Sequence, residues 1–267
     1  MSILSYTFFQ NALLGSLLAS ILCGLIGTYI VARRLVFISG GITHASFGGI
    51  GIGVYLGFSP ILSAAVFSVL SACGIQWFSH RRDMREDSAI AIFWTLGMSI
   101  GIICSFLAPG FTPELSSYLF GNILTVTPSD LYLLGTLALI AIVVFTCFLR
   151  PLVSMAFDAE FARSQRLPVI TVEYLMMDFI ALTIVACLRM VGIVLVISLL
   201  TIPQVTANIF THSFKRMALL SIVTGYSGLY LSYHYNIPSG ASIIFVSILI
   251  YLVCKGISWS IIRWRRQ

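Results

Sequence analysis

One histidine stands in a stretch where an ionisable group is expensive. His44 lies in FISGGITHASFGGIGIGVYLG (37–57), an apolar and glycine-rich run whose nearest charged neighbour is Arg34. Such a side chain by default faces a protein interior or a polar route. A neutral imidazole also ligates first-row divalent metals. Ser39 and Thr43 precede it as weak oxygen donors. The alternative is a neutral histidine hydrogen-bonded to Thr43, Ser46 or a backbone carbonyl. A second polar group surrounds Pro203 in ISLLTIPQVTAN, with Thr201, Gln204, Thr206 and Asn208. Proline frees a carbonyl one turn back, which polar neighbours can satisfy. That helix either lines a cavity, with Thr201, Gln204 and Asn208 as candidates, or is merely kinked. Asp178 is a second ionisable group in an apolar run. It reads as a pathway group or as a paired carboxylate near the membrane surface.

Two strings imitate hydrolases. GMSIG (97–101) matches the GxSxG nucleophile elbow, which needs a strand–turn–helix setting. Here it lies in the middle of an apolar run, so the match is accidental. GYSG (225–228) resembles the serine motif of intramembrane rhomboid proteases, with His234 at the end of the same run as the histidine for Ser227. A partner histidine in that family comes from another helix, so the protease is a remote alternative. The chain has no HExxH and no GxxxxGK[ST], so it does not hydrolyse ATP by itself.

The elements that must hold these groups are long apolar helices. Of 267 residues, 59% are hydrophobic and 9% charged, against about 25% charged in a soluble domain. Several runs reach about 18–20 residues, enough for a hydrocarbon core of about 30 Å. The pattern predicts an all-α polytopic membrane protein, one transmembrane domain over 1–267. Nine spans fall at 10–32, 40–57, 60–79, 88–107, 131–149, 169–188, 191–211, 217–233 and 239–258; eight is the alternative count. No basic n-region precedes the first run, which is read as a retained span rather than a signal peptide.

Of fifteen Lys and Arg, all but Arg189 fall in alternate loops: Arg33 and Arg34; Arg81, Arg82 and Arg85; Arg150, Arg163 and Arg166; Lys215 and Arg216; and the C-terminal end. The positive-inside rule then puts the N-terminus outside and the C-terminus in the cytoplasm. Membrane topology accounts for the net charge of +6, so no nucleic-acid partner is expected. Six scattered cysteines read as small buried hydrophobes. Segment 118–130 reads as a surface or re-entrant piece outside, with Pro128, Ser129 and Asp130 opening the next helix. Residues 155–169 read as one amphipathic helix on the inner face, with Phe157 and Phe161 four apart and Pro168 ending it.

Gly41, Ala45, Gly49, Gly53 and Gly57 recur every fourth residue. On a helix they form a small-residue row that lets another backbone come close. A close helix neighbour is expected along it, with His44 beside the contact.

Six stretches, in order, resemble the permease subunit of bacterial ABC importers for zinc, manganese or iron. They are RRLVFISGGITHASFGGIGIG, EDSAIAIFWTLGMSIGI, YLFGNILTV, FDAEFARSQRLPV, LRMVGIVLVISLLTIPQVTAN and NIPSGASIIFVSILIYLV. The resemblance implies a homodimer with the pathway between its copies. It implies ATPase subunits docked on a cytoplasmic coupling helix, here Phe157, Asp158, Glu160, Phe161, Ala162 and Arg163, and an external metal-binding protein. It implies a transported divalent metal ion, no permanent cofactor, and a multi-pass place in the bacterial cell membrane. Two positions depart from that pattern. Gly40 stands where the family often has an aspartate four residues before the histidine. Arg166 stands where its coupling helix usually has glycine. A permease for a siderophore or cobalamin-like chelate is the nearest alternative.

Overall fold

The computed structural model describes residues 7–81, 84–108, 121, 126–211, 213–234 and 239–264. Among them are eleven helices. We name them α1 (Thr7–Ala32), α2 (Val36–Leu56), α3 (Pro60–His80), α4 (Glu86–Leu107), α5 (Pro128–Cys147), α6 (Leu149–Phe157), α7 (Ala159–Ser164), α8 (Val169–Val191), α9 (Ile193–Phe210), α10 (Phe214–His234) and α11 (Ser239–Trp264). Nine of these have 18 residues or more. They fall on the nine expected spans. Seven, α1 to α5 with α8 and α9, are long and apolar enough to cross a membrane.

α1 runs through the middle of the bundle. Leu22, Cys23, Ile26 and Ile30 on it are fully buried, and it packs against α5, α9 and α10. On the other side α2 packs against α3 and α4, and α3 against α8. One core joins them: Ile38 and Ile42 of α2, Ile75 of α3, Ile90 of α4, Leu134 of α5 and Ile180 and Ile184 of α8.

Local chemistry sets several helix ends. α5 opens as expected, with Pro128 in its first turn and a capping box. The Asp130 N–H donates to Thr127 Oγ1 at 3.4 Å, and the Thr127 N–H donates to Asp130 Oδ2 at 2.9 Å, satisfying two otherwise orphaned donors. Gly192, at φ 78° and ψ 163°, alone separates α8 from α9. Gly121, at φ 62°, lies against the backbone of Val191 and Gly192. The rest of the expected external piece, 109–120 and 122–125, lies outside the described residues.

The amphipathic stretch 155–169 is not one helix. The chain breaks at Asp158, which leaves helical geometry at φ −147° and caps α7 by accepting from the Phe161 N–H at 2.9 Å. α7 ends before Pro168, not at it. Arg166 takes the left-handed conformation at φ 58°, and the Leu167 N–H reaches back to the Ala162 carbonyl at 3.2 Å. This is the helix-ending turn that favours glycine, so the departure at Arg166 carries a local strain. A side chain held there costs about 1–2 kcal/mol, partly offset by the greater freedom glycine has when unfolded. Arg166→Gly is therefore expected to stabilise the fold by up to about 1 kcal/mol. That should appear as a rise of roughly 2–4 °C in thermal unfolding of the purified protein.

All six cysteines are free. Cys23 and Cys187 are buried as expected, but Cys147 is exposed at the end of α5.

Candidate functional site

His44 is half-buried on α2, and its ring stacks on that of Trp94 in α4, centroids 4.4 Å apart and 4° from parallel. Its Nδ1 is buried with no hydrogen-bond partner among the described residues. The alternative of an imidazole held by Thr43 or Ser46 is thereby excluded. Those hydroxyls serve their own helix: Thr43 bonds the Ser39 carbonyl, and Ser46 the Thr43 carbonyl at 2.6 Å. Ser39 donates to the Val36 carbonyl at 2.8 Å. Ser39 and Thr43 are also fully buried, so neither lines an open route here. Gly40, one turn before His44, is open: a Cβ there meets only Trp94 Cζ3, at 3.9 Å.

The small-residue row does bring backbones together, but within one chain. Gly41 lies under the Ile90 side chain of α4. A Cβ on Gly97 would sit 2.5 Å from the Ala45 Cα, and one on Gly51, which is not in the row, would sit 2.5 Å from the Gly101 carbonyl oxygen. Gly49 and Gly53 instead face Ser63, Ala64 and Pro60 of α3. The reason is geometric: a step of four residues turns about 40° too far on a helix of 3.6 residues per turn. The row therefore winds from α4 round to α3. Gly57 is not a packing residue. It ends α2 in the left-handed conformation, φ 72°, with open space around it. The matching surface on α4 is Gly97 and Gly101, the glycines of GMSIG. Their i, i+4 spacing was the signal for it.

Pro203 lies inside α9, and the polar group beside it serves the backbone at the helix centre. Gln204 is fully buried. Its Nε2 donates to the Leu199 carbonyl at 2.9 Å, the one Pro203 leaves without a partner, and to the Cys23 carbonyl of α1 at 2.7 Å. Gly27 gives that amide room, since a Cβ there would come within 2.5 Å of it. Thr201 is half-buried and donates to the Ile197 carbonyl at 2.8 Å. Asn208 is exposed and borders a cavity of about 250 Å³ with Arg34, Phe157 and Phe214. Asp178 is the paired carboxylate: Cys73 Sγ donates to its Oδ1 at 3.2 Å. It borders an apolar groove of about 680 Å³ between α5, α6 and α8, in which His44 takes no part.

Sequence reasoning missed Glu173. This buried carboxylate of α8 pairs with Arg33 Nη1 at 2.8 Å, with His80 Nε2 at 3.1 Å and with Gln76 Nε2 at 3.3 Å. It ties the ends of α1 and α3 to the start of α8, which is what makes a buried charge tolerable. Nothing local marks it, since its partners lie about a hundred residues away.

At the same end, Phe157 and Phe161 are 69% and 55% exposed, with Asp158, Glu160 and Arg163 exposed beside them. Ala162 is not part of that surface; it is buried against Met155 and Val169. Ser227 and His234 both fall on α10, but their side chains lie outside the described residues. Among the described residues no cluster of three or more His, Cys, Asp or Glu could hold a metal ion.

Long apolar helices around an imidazole whose Nδ1 has no partner among the described residues, with Phe157 and Phe161 exposed on two successive short helices, fit an integral-membrane transport subunit. The chain belongs to the ABC 3 transport family, whose model matches residues 5–257. It is 40% identical over 254 residues to an uncharacterised membrane protein of Synechocystis, covering 94% of this chain and 90% of that one. It is 34% identical over 249 residues to the manganese transport system membrane protein MntC of Halalkalibacterium halodurans, covering 92% and 85%. Among solved structures it resembles PsaBC from Streptococcus pneumoniae in complex with Fab, at TM-score 0.82, 28% identity and coverage of 94% and 92%.

Proposed function

We propose that the chain is the membrane-spanning subunit of an ATP-driven importer that moves a divalent metal cation into the cell by alternating access. The observation that carries this reading is the alignment of nearly the whole chain with a membrane protein named for a manganese transport system. Manganese, zinc and iron are the candidate cargoes, because imidazole accepts all three and affinity order alone does not set selectivity. Two copies form the pathway, and His44 of each contacts the ion in transit. A site of few ligands suits that task, since conduction needs binding loose enough to release. The basic loops face the cytoplasm. There Phe157 and Phe161 dock the ATPase, whose motion re-packs the spans. A separate external protein recognises the ion.

Reconstitution with the partner ATPase and binding protein in proteoliposomes tests this, with radiolabelled manganese, zinc, iron and a metal chelate supplied in parallel. ATP-dependent uptake of a bare ion is the expected result; uptake of the chelate alone would overturn it. Glu160→Arg with Phe161→Asp should lower ATP-driven uptake at least about tenfold, as loss of an interface anchor does. A fully active double variant would remove the docking role.

A further inference from the structure

We infer that Trp94 is the positioning residue for the His44 imidazole, and so sets how well the permease captures its ion. This rests on the proposed role of His44 as the cargo contact. A metal ion binds along a nitrogen lone pair, which lies in the plane of the ring. Rotation about the last side-chain bond of histidine is soft, with broad minima, so an unsupported ring aims its lone pair poorly. Metal-binding histidines are almost always oriented by a hydrogen bond from the other ring nitrogen to a carboxylate, carbonyl or water. His44 makes no such bond to any described residue, and its Nδ1 is buried and unpartnered.

The Trp94 indole supplies the missing constraint. It lies 4° from parallel with the imidazole at a centroid distance of 4.4 Å. It is itself in contact with Phe37, at 5.8 Å and 46°. Phe37, Gly40 and His44 fall on one face of α2, spaced by three and four residues. Gly40 leaves the indole space, its virtual Cβ clearing the ring by 3.9 Å. The indole therefore covers one face of the imidazole and fixes its plane, leaving the ring edge as the route by which an ion reaches nitrogen. Trp94 touches no ion itself.

Transport kinetics of the reconstituted complex test this, with Mn²⁺ and Zn²⁺ as probes. Trp94→Ala should raise the half-saturating metal concentration about tenfold, the upper range for loss of one aromatic stack, and leave the maximal rate nearly unchanged. Trp94→Phe, which keeps a flat ring, should restore most of the affinity. Trp94→Leu, which keeps apolar bulk without a flat face, should not, and it serves if the alanine variant folds poorly. In ring-proton NMR of the wild type, the His44 signal should carry the upfield shift of a stacked indole. A wild-type half-saturation in Trp94→Leu, or a loss confined to the maximal rate, would overturn the proposal while leaving an inactive His44→Ala to support the cargo contact. Wild-type transport by His44→Ala would instead remove the contact and this inference with it.

Discussion

Replacing Gly51 with leucine is expected to leave no stably folded protein. α2 and α4 approach so closely that even a methyl group on Gly51 would sit 2.5 Å from the Gly101 carbonyl oxygen and 2.6 Å from its Cα. The obstacle is backbone, which cannot turn aside as a side chain can. Forcing extra methylenes into a packed interior typically costs about 1–3 kcal/mol, sometimes more. At a backbone contact between two helices the strain can be relieved only by moving a whole helix. That movement would also open the contacts of Gly97 with Ala45 and of Gly101 with Phe47. Gly135→Ala is the control, because its new methyl meets only Leu18, at 3.9 Å. Yield of membrane-extracted, monodisperse protein and its unfolding temperature are the measurements. The Gly135 variant should match wild type, and the Gly51 variant should give aggregated material or none.

The second large effect is on the ion. His44→Ala should lower metal uptake at least about tenfold, a loss of roughly 1.4 kcal/mol or more. The unpartnered imidazole offers a nitrogen lone pair that nothing else on α2 replaces. Ser39, Thr43 and Ser46 all spend their hydroxyl hydrogens on their own helix. The complementary variant is Gly40→Asp. Its side chain enters open space one turn before His44, with Trp94 Cζ3 at 3.9 Å as the only neighbour within 4 Å of the new Cβ. Residues four apart share a helix face, so a carboxylate joins the imidazole. Carboxylate oxygen suits manganese better than imidazole nitrogen does. Manganese binding by equilibrium dialysis should tighten about tenfold, with a smaller gain for zinc. Equal binding by wild type and Gly40→Asp would show that residue 40 does not face the ion.

The two effects trace to one run of sequence, yet only part of it was readable beforehand. The row from Gly41 to Gly57 announced a close helix contact. It did not reveal the partner, because any small-residue surface can receive it; α3 and α4 of the same chain take that place. Gly97 and Gly101 were visible only as the outline of a hydrolase motif. Their role needed α2 opposite them. Pro203 announced a carbonyl without a donor, and Gln204 was among the polar neighbours named for it. That the amide also reaches α1 at Cys23 follows only from the place where the two helices cross. The Glu173 network was not readable at all, since Arg33, Gln76 and Glu173 carry no local mark of one another.

Composition and charge by themselves determined that this is a helical membrane protein and where its long helices fall. Apolar length and loop charge are local properties, read residue by residue along the chain. Which face of each helix meets which neighbour was decided only in three dimensions. Each residue turns the helix by about 100°, and a partner far along the chain leaves no trace in the stretch it will touch. The packing of α2, the burial of Gln204 and the indole lying over His44 belong to that second kind.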